Sequence, residues 1–215
     1  EYIEALALDR FAADHRLDRR AQVELLARVA DALHALHEQG VIHRDIKPSN
    51  ILVDARADPV IIDLGVASLL AGDVLDTLTA DGAPIGTPAF MAPEQARGER
   101  ASISTRTDIY ALGAAACFLL TGRTPHDMAA TIHEALRRVA FDPPREPRDL
   151  DPTLDRSLAA VLARACAPNP KDRYTSAADF ADDLRRWARG APVEARPAGP
   201  WTKAARWAAR HPLQT

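Results

Sequence analysis

The chain has 215 residues, enough to bury a full core as one domain with a short tail. Its 27 basic and 30 acidic side chains leave a formal net charge of −3 with both signs interspersed, so no overall basic field points to nucleic acid. The two cysteines, Cys117 and Cys166, stand in apolar helical contexts and suit packing in a reducing compartment; nothing at the start reads as a secretory leader, and the longest apolar stretch, residues 111–120, is too short to span a bilayer.

Residues 17–39 carry Val23, Leu26, Val29, Ala30, Leu33 and Leu36 at close to a 3.6-residue period, which predicts an amphipathic helix stopped by Gly40. Next comes the run His43-Arg44-Asp45-Ile46-Lys47-Pro48-Ser49-Asn50, which sets an acid, a lysine and an amide on one short loop. Phosphoryl transfer from ATP uses such a set. A carboxylate orients the substrate hydroxyl and accepts its proton, an ammonium neutralises the transferring group, and an amide oxygen helps hold Mg²⁺. Two β-branched runs, 51–53 and 60–62, flank a turn and predict a hairpin. That hairpin would deliver Asp63, eighteen residues past Asp45 and at the head of Asp63-Leu64-Gly65, to the same side as Asn50. Two oxygen ligands on neighbouring strands can hold Mg²⁺ between ATP phosphates.

Residues 66–84 follow, with Thr77 and Thr79 among Asp73, Asp76 and Asp81, and with Gly72 and Gly82 supplying backbone freedom. Then stand Gly86-Thr87-Pro88-Ala89-Phe90-Met91-Ala92-Pro93-Glu94 and Asp108-Ile109-Tyr110-Ala111-Leu112-Gly113. A central buried helix is expected over about 107–121, with Thr107 or Asp108 as its cap. Further helices are expected over 131–139, 154–167 and 176–187, separated by a proline-rich connection at 143–152 and by Pro168 and Pro170. Residues 189–200 read as a linker containing Pro192, Pro197, Gly199 and Pro200. The closing segment, 201–215, combines Trp201 and Trp207 with Lys203, Arg206 and Arg210, a composition that suits a membrane interface.

This ordered series of motifs, completed by Arg173, resembles the large lobe of a eukaryotic-like protein kinase from residue 1 to about 187. Lys47, two places after Asp45, resembles the Ser/Thr-specific branch, and the wording of residues 86–96 and 143–148 resembles the bacterial members. The implied fold is mainly α (α+β): a kinase-like large lobe over 1–188 with a helical core and short β-hairpins, lacking the small N-terminal lobe. The implied substrates are ATP, with Mg²⁺, and proteins bearing Ser/Thr hydroxyls. By the resemblance, Asp45 is the hydroxyl-orienting acid and Lys47 contacts the γ-phosphate. Asn50 and Asp63 bind Mg²⁺, and Thr87 bonds Asp45 and Lys47. Leu52 packs under the adenine, whose edge meets the backbone of Glu1 and Ile3. Arg44 pairs with a phosphate on the activation segment, for which Thr77 and Thr79 are the candidates. Glu94 and Arg173 form a buried ion pair, and Asp108 accepts N–H bonds from the catalytic loop. His43 is expected to pack in the core rather than titrate. Leu64 takes the place of the phenylalanine usual in the metal-binding triplet and keeps its apolar packing.

A kinase also needs a glycine-rich phosphate loop and a strand lysine. The sequence holds no G-x-G-x-x-G, and its lysines are Lys47, Lys171 and Lys203. Its first residues, 1–4, resemble the hinge between the two lobes. The expectation is a kinase cut at the hinge, with little transfer by this polypeptide alone. Related bacterial kinases often carry a segment like 201–215 just before a membrane span, which implies the cytoplasmic side of a membrane. The rival expectation is a non-catalytic binding or scaffold module.

Overall fold

The computed structural model describes residues 5–63, 87–127 and 131–196. Three short strands form an antiparallel sheet in the order β1 (Ala5–Ala7), β2 (Ile51–Asp54), β3 (Pro59–Ile61), with Leu6 opposite Val53 and Leu52 opposite Val60. Along β2, Ile51 and Val53 are buried and Leu52 is half-buried, so the period-two alternation turns Leu52 away from the core. The second and third strands are the hairpin that the two apolar runs predict. The first strand and the helix α1 (Leu8–Asp14) that continues from it have only short signals, and no reading of the sequence announced them.

Helix α2 (Arg19–Glu38) starts where the Asp18 carboxylate accepts the Ala21 N–H at 2.8 Å, and ends before Gly40, which takes φ +74°. The central helix α4 (Thr105–Thr121) is buried without a break from Thr107 to Cys117. Its start corrects the expected boundary. Ser104 occupies the N-cap position, and Thr107, one turn in, accepts the Ser104 N–H on its hydroxyl at 3.1 Å. Neither Thr107 nor Asp108 is the cap; both stand inside the first turn and are fully buried. Before it lies the four-residue helix α3 (Pro93–Ala96).

Helix α5 (Ile132–Phe141) is capped by Thr131, and the proline-rich connection contains one short helix, α6 (Pro147–Leu150), begun by its proline. Helix α7 (Arg156–Ala165) starts later than the apolar pattern suggests because Asp155 accepts the Ser157 and Leu158 N–H groups. Helix α8 (Ala177–Ala188) is capped by Ser176 and packs along α2, while α4 packs on α7. At the second contact Gly113 allows close approach: a Cβ there would lie 2.7 Å from Ala165 Cβ and 3.0 Å from Cys166 Sγ. Cys117 and Cys166 are buried and unbridged, and a hydrogen bond to Cys166 together with burial pushes the Cys117 thiol well up.

Residues 191–196, in the stretch expected as a linker, are bound to the lobe. The Asp183 carboxylate accepts the Glu194 and Ala195 N–H groups at 2.7 and 2.9 Å, Ala195 is buried, and Val193 packs on the core. Among the described residues no helix is long and apolar enough to cross a membrane. Glu1, Ile3, Thr77, Thr79 and the segment 201–215 lie outside the described residues.

Candidate active site

The candidate loop is suspended from its own backbone. After α2 the chain turns at Gly40 and enters the loop at His43. The His43 ring is fully buried; its Nε2 donates to the Ile62 carbonyl at 2.9 Å, which leaves Nδ1 to accept the Asp45 N–H at 3.3 Å. The Asp108 carboxylate, reaching from the first turn of α4, accepts the His43 N–H at 2.8 Å and the Arg44 N–H at 2.7 Å. His37, from the end of α2, donates from Nε2 to the same carboxylate at 2.9 Å, with both side chains buried. Gln95 closes the other side: its amide nitrogen donates to the Arg44 carbonyl at 2.8 Å while its oxygen accepts the Ala92 N–H at 3.1 Å. Held between these groups, Arg44 takes φ +67°, a left-handed conformation that costs an arginine about 1–2 kcal/mol.

The polar side chains of the loop converge on one oxygen. Lys47 Nζ donates to Asp45 Oδ2 at 2.8 Å, and Asn50 Nδ2 donates to the same oxygen at 2.9 Å. Asn50 Nδ2 also donates to the Asp45 carbonyl at 2.8 Å. Both amide protons of this buried side chain are thereby used, which fixes its orientation and turns Oδ1 the other way. Across the hairpin the Ile62 N–H donates to the Asn50 carbonyl at 3.0 Å, so Asp63 follows directly on a residue bonded to Asn50. Asp63 is exposed and takes φ +58°. An amide oxygen and a carboxylate are hard donors of the kind Mg²⁺ takes, and one or two such protein ligands suffice when phosphates supply the rest. Thr87 opens a 3₁₀ turn, Thr87–Phe90, and its side chain lies outside the described structure.

Below the loop, Arg173 and Glu94 make a two-pronged ion pair, Nη1 to Oε1 at 2.7 Å and Nη2 to Oε2 at 2.8 Å. The arginine also donates to the carbonyls of Ala167, Arg106 and Pro168 at 2.7, 2.9 and 3.0 Å, so all five of its N–H groups are satisfied. Thr107 adds its hydroxyl to Glu94 Oε1 at 2.9 Å. Arg44 differs: its Nε is buried with no hydrogen-bond partner among the described residues.

The sequence reading missed three of these residues. Gln95 could have been found as the third residue of a helix opened by Pro93, where an amide commonly reaches back to the N-cap backbone. Thr107 was read as a cap alone. His37 has no signal in one dimension, because its partner Asp108 lies 71 residues away.

Comparison with known proteins identifies the family. Residues 1–184 match the family described as the protein kinase domain. The chain is 35% identical over 196 residues to the serine/threonine-protein kinase PknB of Mycobacterium tuberculosis, covering 91% of this chain and 31% of that protein. It is 38% identical over 170 residues to the probable serine/threonine-protein kinase PknB of Corynebacterium glutamicum, covering 78% of this chain and 26% of that one. It thus spans less than a third of the length of these curated relatives. Among solved structures, the kinase domain of Mycobacterium tuberculosis PknI superposes with a TM-score of 0.62 at 27% identity, over 86% of this chain and 64% of that one. With the motif series, the family match and relatives of this identity in agreement, the chain belongs to the protein kinase family, and to its bacterial, eukaryotic-like Ser/Thr branch.

Proposed function

We propose that this chain is the large lobe of an ATP- and Mg²⁺-dependent Ser/Thr protein kinase, which moves the γ-phosphoryl group in line onto a protein hydroxyl. The observation that carries the reading is the Asp45 carboxylate, whose Oδ2 takes hydrogen bonds from Lys47 and Asn50 at 2.8 and 2.9 Å. Both of these donors reach Oδ2, which leaves Oδ1 to orient the substrate hydroxyl and receive its proton. Lys47 has two further ammonium protons for the transferring phosphoryl oxygens. Asn50 Oδ1 and Asp63 are the oxygens that would hold Mg²⁺, which when bound neutralises the phosphates. The outward face of Leu52 suits the adenine ring, and Glu1 and Ile3 are proposed to meet its edge. Thr87 is proposed to close the base of the substrate site. The Arg44 Nε, which has no hydrogen-bond partner among the described residues, supports docking of a phosphate carried by Thr77 or Thr79, because a guanidinium with an unused donor favours an incoming dianion. Glu94, Arg173 and Asp108 act as supports.

The test is transfer of labelled phosphate from ATP to protein by the product of the gene that encodes this chain. Asp45→Asn should lower the rate by about 10²–10⁴-fold; an unchanged rate refutes the assignment. The 215-residue polypeptide by itself, without G-x-G-x-x-G, is proposed to transfer little or nothing, and Asp45-dependent turnover by it would refute that part. A second reading is a non-catalytic binding module. The coding sequence in frame before Glu1 separates the two, since a glycine-rich loop and a strand lysine there favour the kinase. Residues 201–215 are proposed to lie against the cytoplasmic face of a membrane, and failure of the chain to bind anionic vesicles more tightly than a chain ending at residue 196 would count against it.

A further inference from the structure

The peptide that joins Arg44 to Asp45 sets where the candidate acid points, because turning it turns the Asp45 Cα–Cβ bond. Among the described residues, its N–H donates to His43 Nδ1 at a long 3.3 Å, and its carbonyl accepts the Gln95 amide at 2.8 Å. The Asp108 carboxylate holds the N–H groups before it, those of His43 and Arg44. Gln95 thus supplies the shorter restraint on this peptide, beside a residue strained at φ +67°. Such strain relaxes when a neighbouring peptide is free to turn, and the bond to the carbonyl opposes that turn.

The other end of the same amide is also committed. Gln95 Oε1 accepts the N–H of Ala92, which closely follows the turn Thr87–Phe90, at 3.1 Å. Exchanging oxygen and nitrogen would set donor against donor and acceptor against acceptor, so the network fixes the orientation. Beneath it, the neighbouring Glu94 is fully buried and paired with Arg173, which anchors the backbone of α3. The side chain at position 95 must therefore donate at one end and accept at the other. Glutamate, the other common residue at the third position of a helix, meets only the second need.

Resting on the kinase reading above, we propose that Gln95 is a positioning residue for the transfer step. It sets the aim of Asp45 relative to the turn before α3, acting through the Arg44 carbonyl without touching substrate.

The experiment compares Gln95→Glu, which keeps an acceptor for Ala92 and removes the donor to Arg44, with Gln95→Met, which removes both. The position is half-buried, and a urea midpoint checks the fold of each variant. In the product of the gene that encodes this chain, kcat for transfer from labelled ATP should fall about 10–10²-fold in both variants, the scale on which a misplacement of about 1 Å acts. KM for ATP should stay within about twofold, since the loss is confined to the transition state. The Asp45 amide nitrogen shares its peptide with the Arg44 carbonyl, so its NMR shift in the 215-residue chain reports this bond. That shift should move in both variants while the amides of α8 hold still. Wild-type kcat in Gln95→Glu, with a loss in Gln95→Met alone, makes the side chain a helix cap and overturns the inference. An Asp45 amide that moves in neither variant overturns it too, whatever the rates. The kinase reading is decided separately by the wild-type protein. Absence of Asp45-dependent transfer sinks that reading, whereas wild-type transfer that Gln95→Glu matches sinks only the role of Gln95.

Discussion

Replacing Arg173 by methionine tests how much of the lobe depends on its most heavily bonded side chain. The residue is 2% exposed and its partner Glu94 is 0% exposed, so the substitution strands a carboxylate away from water. Breaking a buried pair from one side costs about 3–5 kcal/mol. Arg173→Met also orphans the carbonyls of Ala167, Arg106 and Pro168, so its cost belongs at the top of that range. Glu94→Gln should cost less. It leaves the three carbonyl bonds in place and keeps an oxygen for one guanidinium nitrogen and for Thr107. For a chain of this length about 3–5 kcal/mol corresponds to a fall in Tm of roughly 6–20 °C. Urea unfolding followed by circular dichroism gives the free energies, provided the slope is unchanged between variants. The double variant should lose less than the sum of the two single losses, since each single change already removes the ion pair. A loss under about 1 kcal/mol in Arg173→Met, or strict additivity in the double variant, refutes the reasoning.

Three further outcomes follow from the packing. Gly113→Ala should destabilise by about 1–3 kcal/mol because the new methyl meets Ala165 Cβ at 2.7 Å, although helix propensity alone favours alanine by about 1 kcal/mol; a raised Tm would show that α4 and α7 can separate freely. Burial holds the His126 imidazole down at about 4, against the opposing pull of Asp142 and Asp127, while the unfolded chain takes up the proton near 6.5. Above pH 6.5 the ring is neutral in both states. Between pH 6.5 and 4 the unfolded state binds more protons, so stability falls by about 3 kcal/mol; His126→Gln should flatten this slope in urea midpoints measured across that window. Asp183→Ala removes the acceptor of the Glu194 and Ala195 N–H groups and of the Tyr174 hydroxyl, at a cost of about 2–3 kcal/mol. Hydrogen exchange should then accelerate at residues 194 and 195, and unchanged protection there would refute the docking role.

Parts of the fold were legible because their causes are local. The apolar period of α2 and the stop at Gly40 lie within one stretch of chain, and so do the two runs of the hairpin. Strand β1 was illegible for the opposite reason. Ala5–Ala7 has little strand propensity of its own and is extended because Leu6 pairs with Val53 far along the chain. The start of α4 was misjudged because Ser104, Thr107 and Asp108 are all residues that cap helices. Only the bond from the Ser104 N–H back to Thr107 decides among them, and it exists once the first turn has closed.

The candidate site divides along the same line. Asp45, Lys47 and Asn50 lie within six residues, so their sharing of one loop could be read from spacing. What makes them a site is the aim of one carboxylate, and that is set from a distance. Asp108 fixes the loop by two backbone N–H groups rather than by any side chain of the motif. His43 and Gln95 likewise hold backbone atoms of Asp45 and Arg44. Support through the backbone leaves the Asp45, Lys47 and Asn50 side chains free to bond one another, and it constrains the supporting residues to carry an acceptor or donor at one point in space. A sequence displays the second kind of requirement only as an acid, a histidine and a glutamine scattered over 72 positions from His37 to Asp108. The strained φ of Arg44 is the trace that this arrangement leaves in the backbone: the loop tolerates it because donor and acceptor groups on both sides of the residue are already taken.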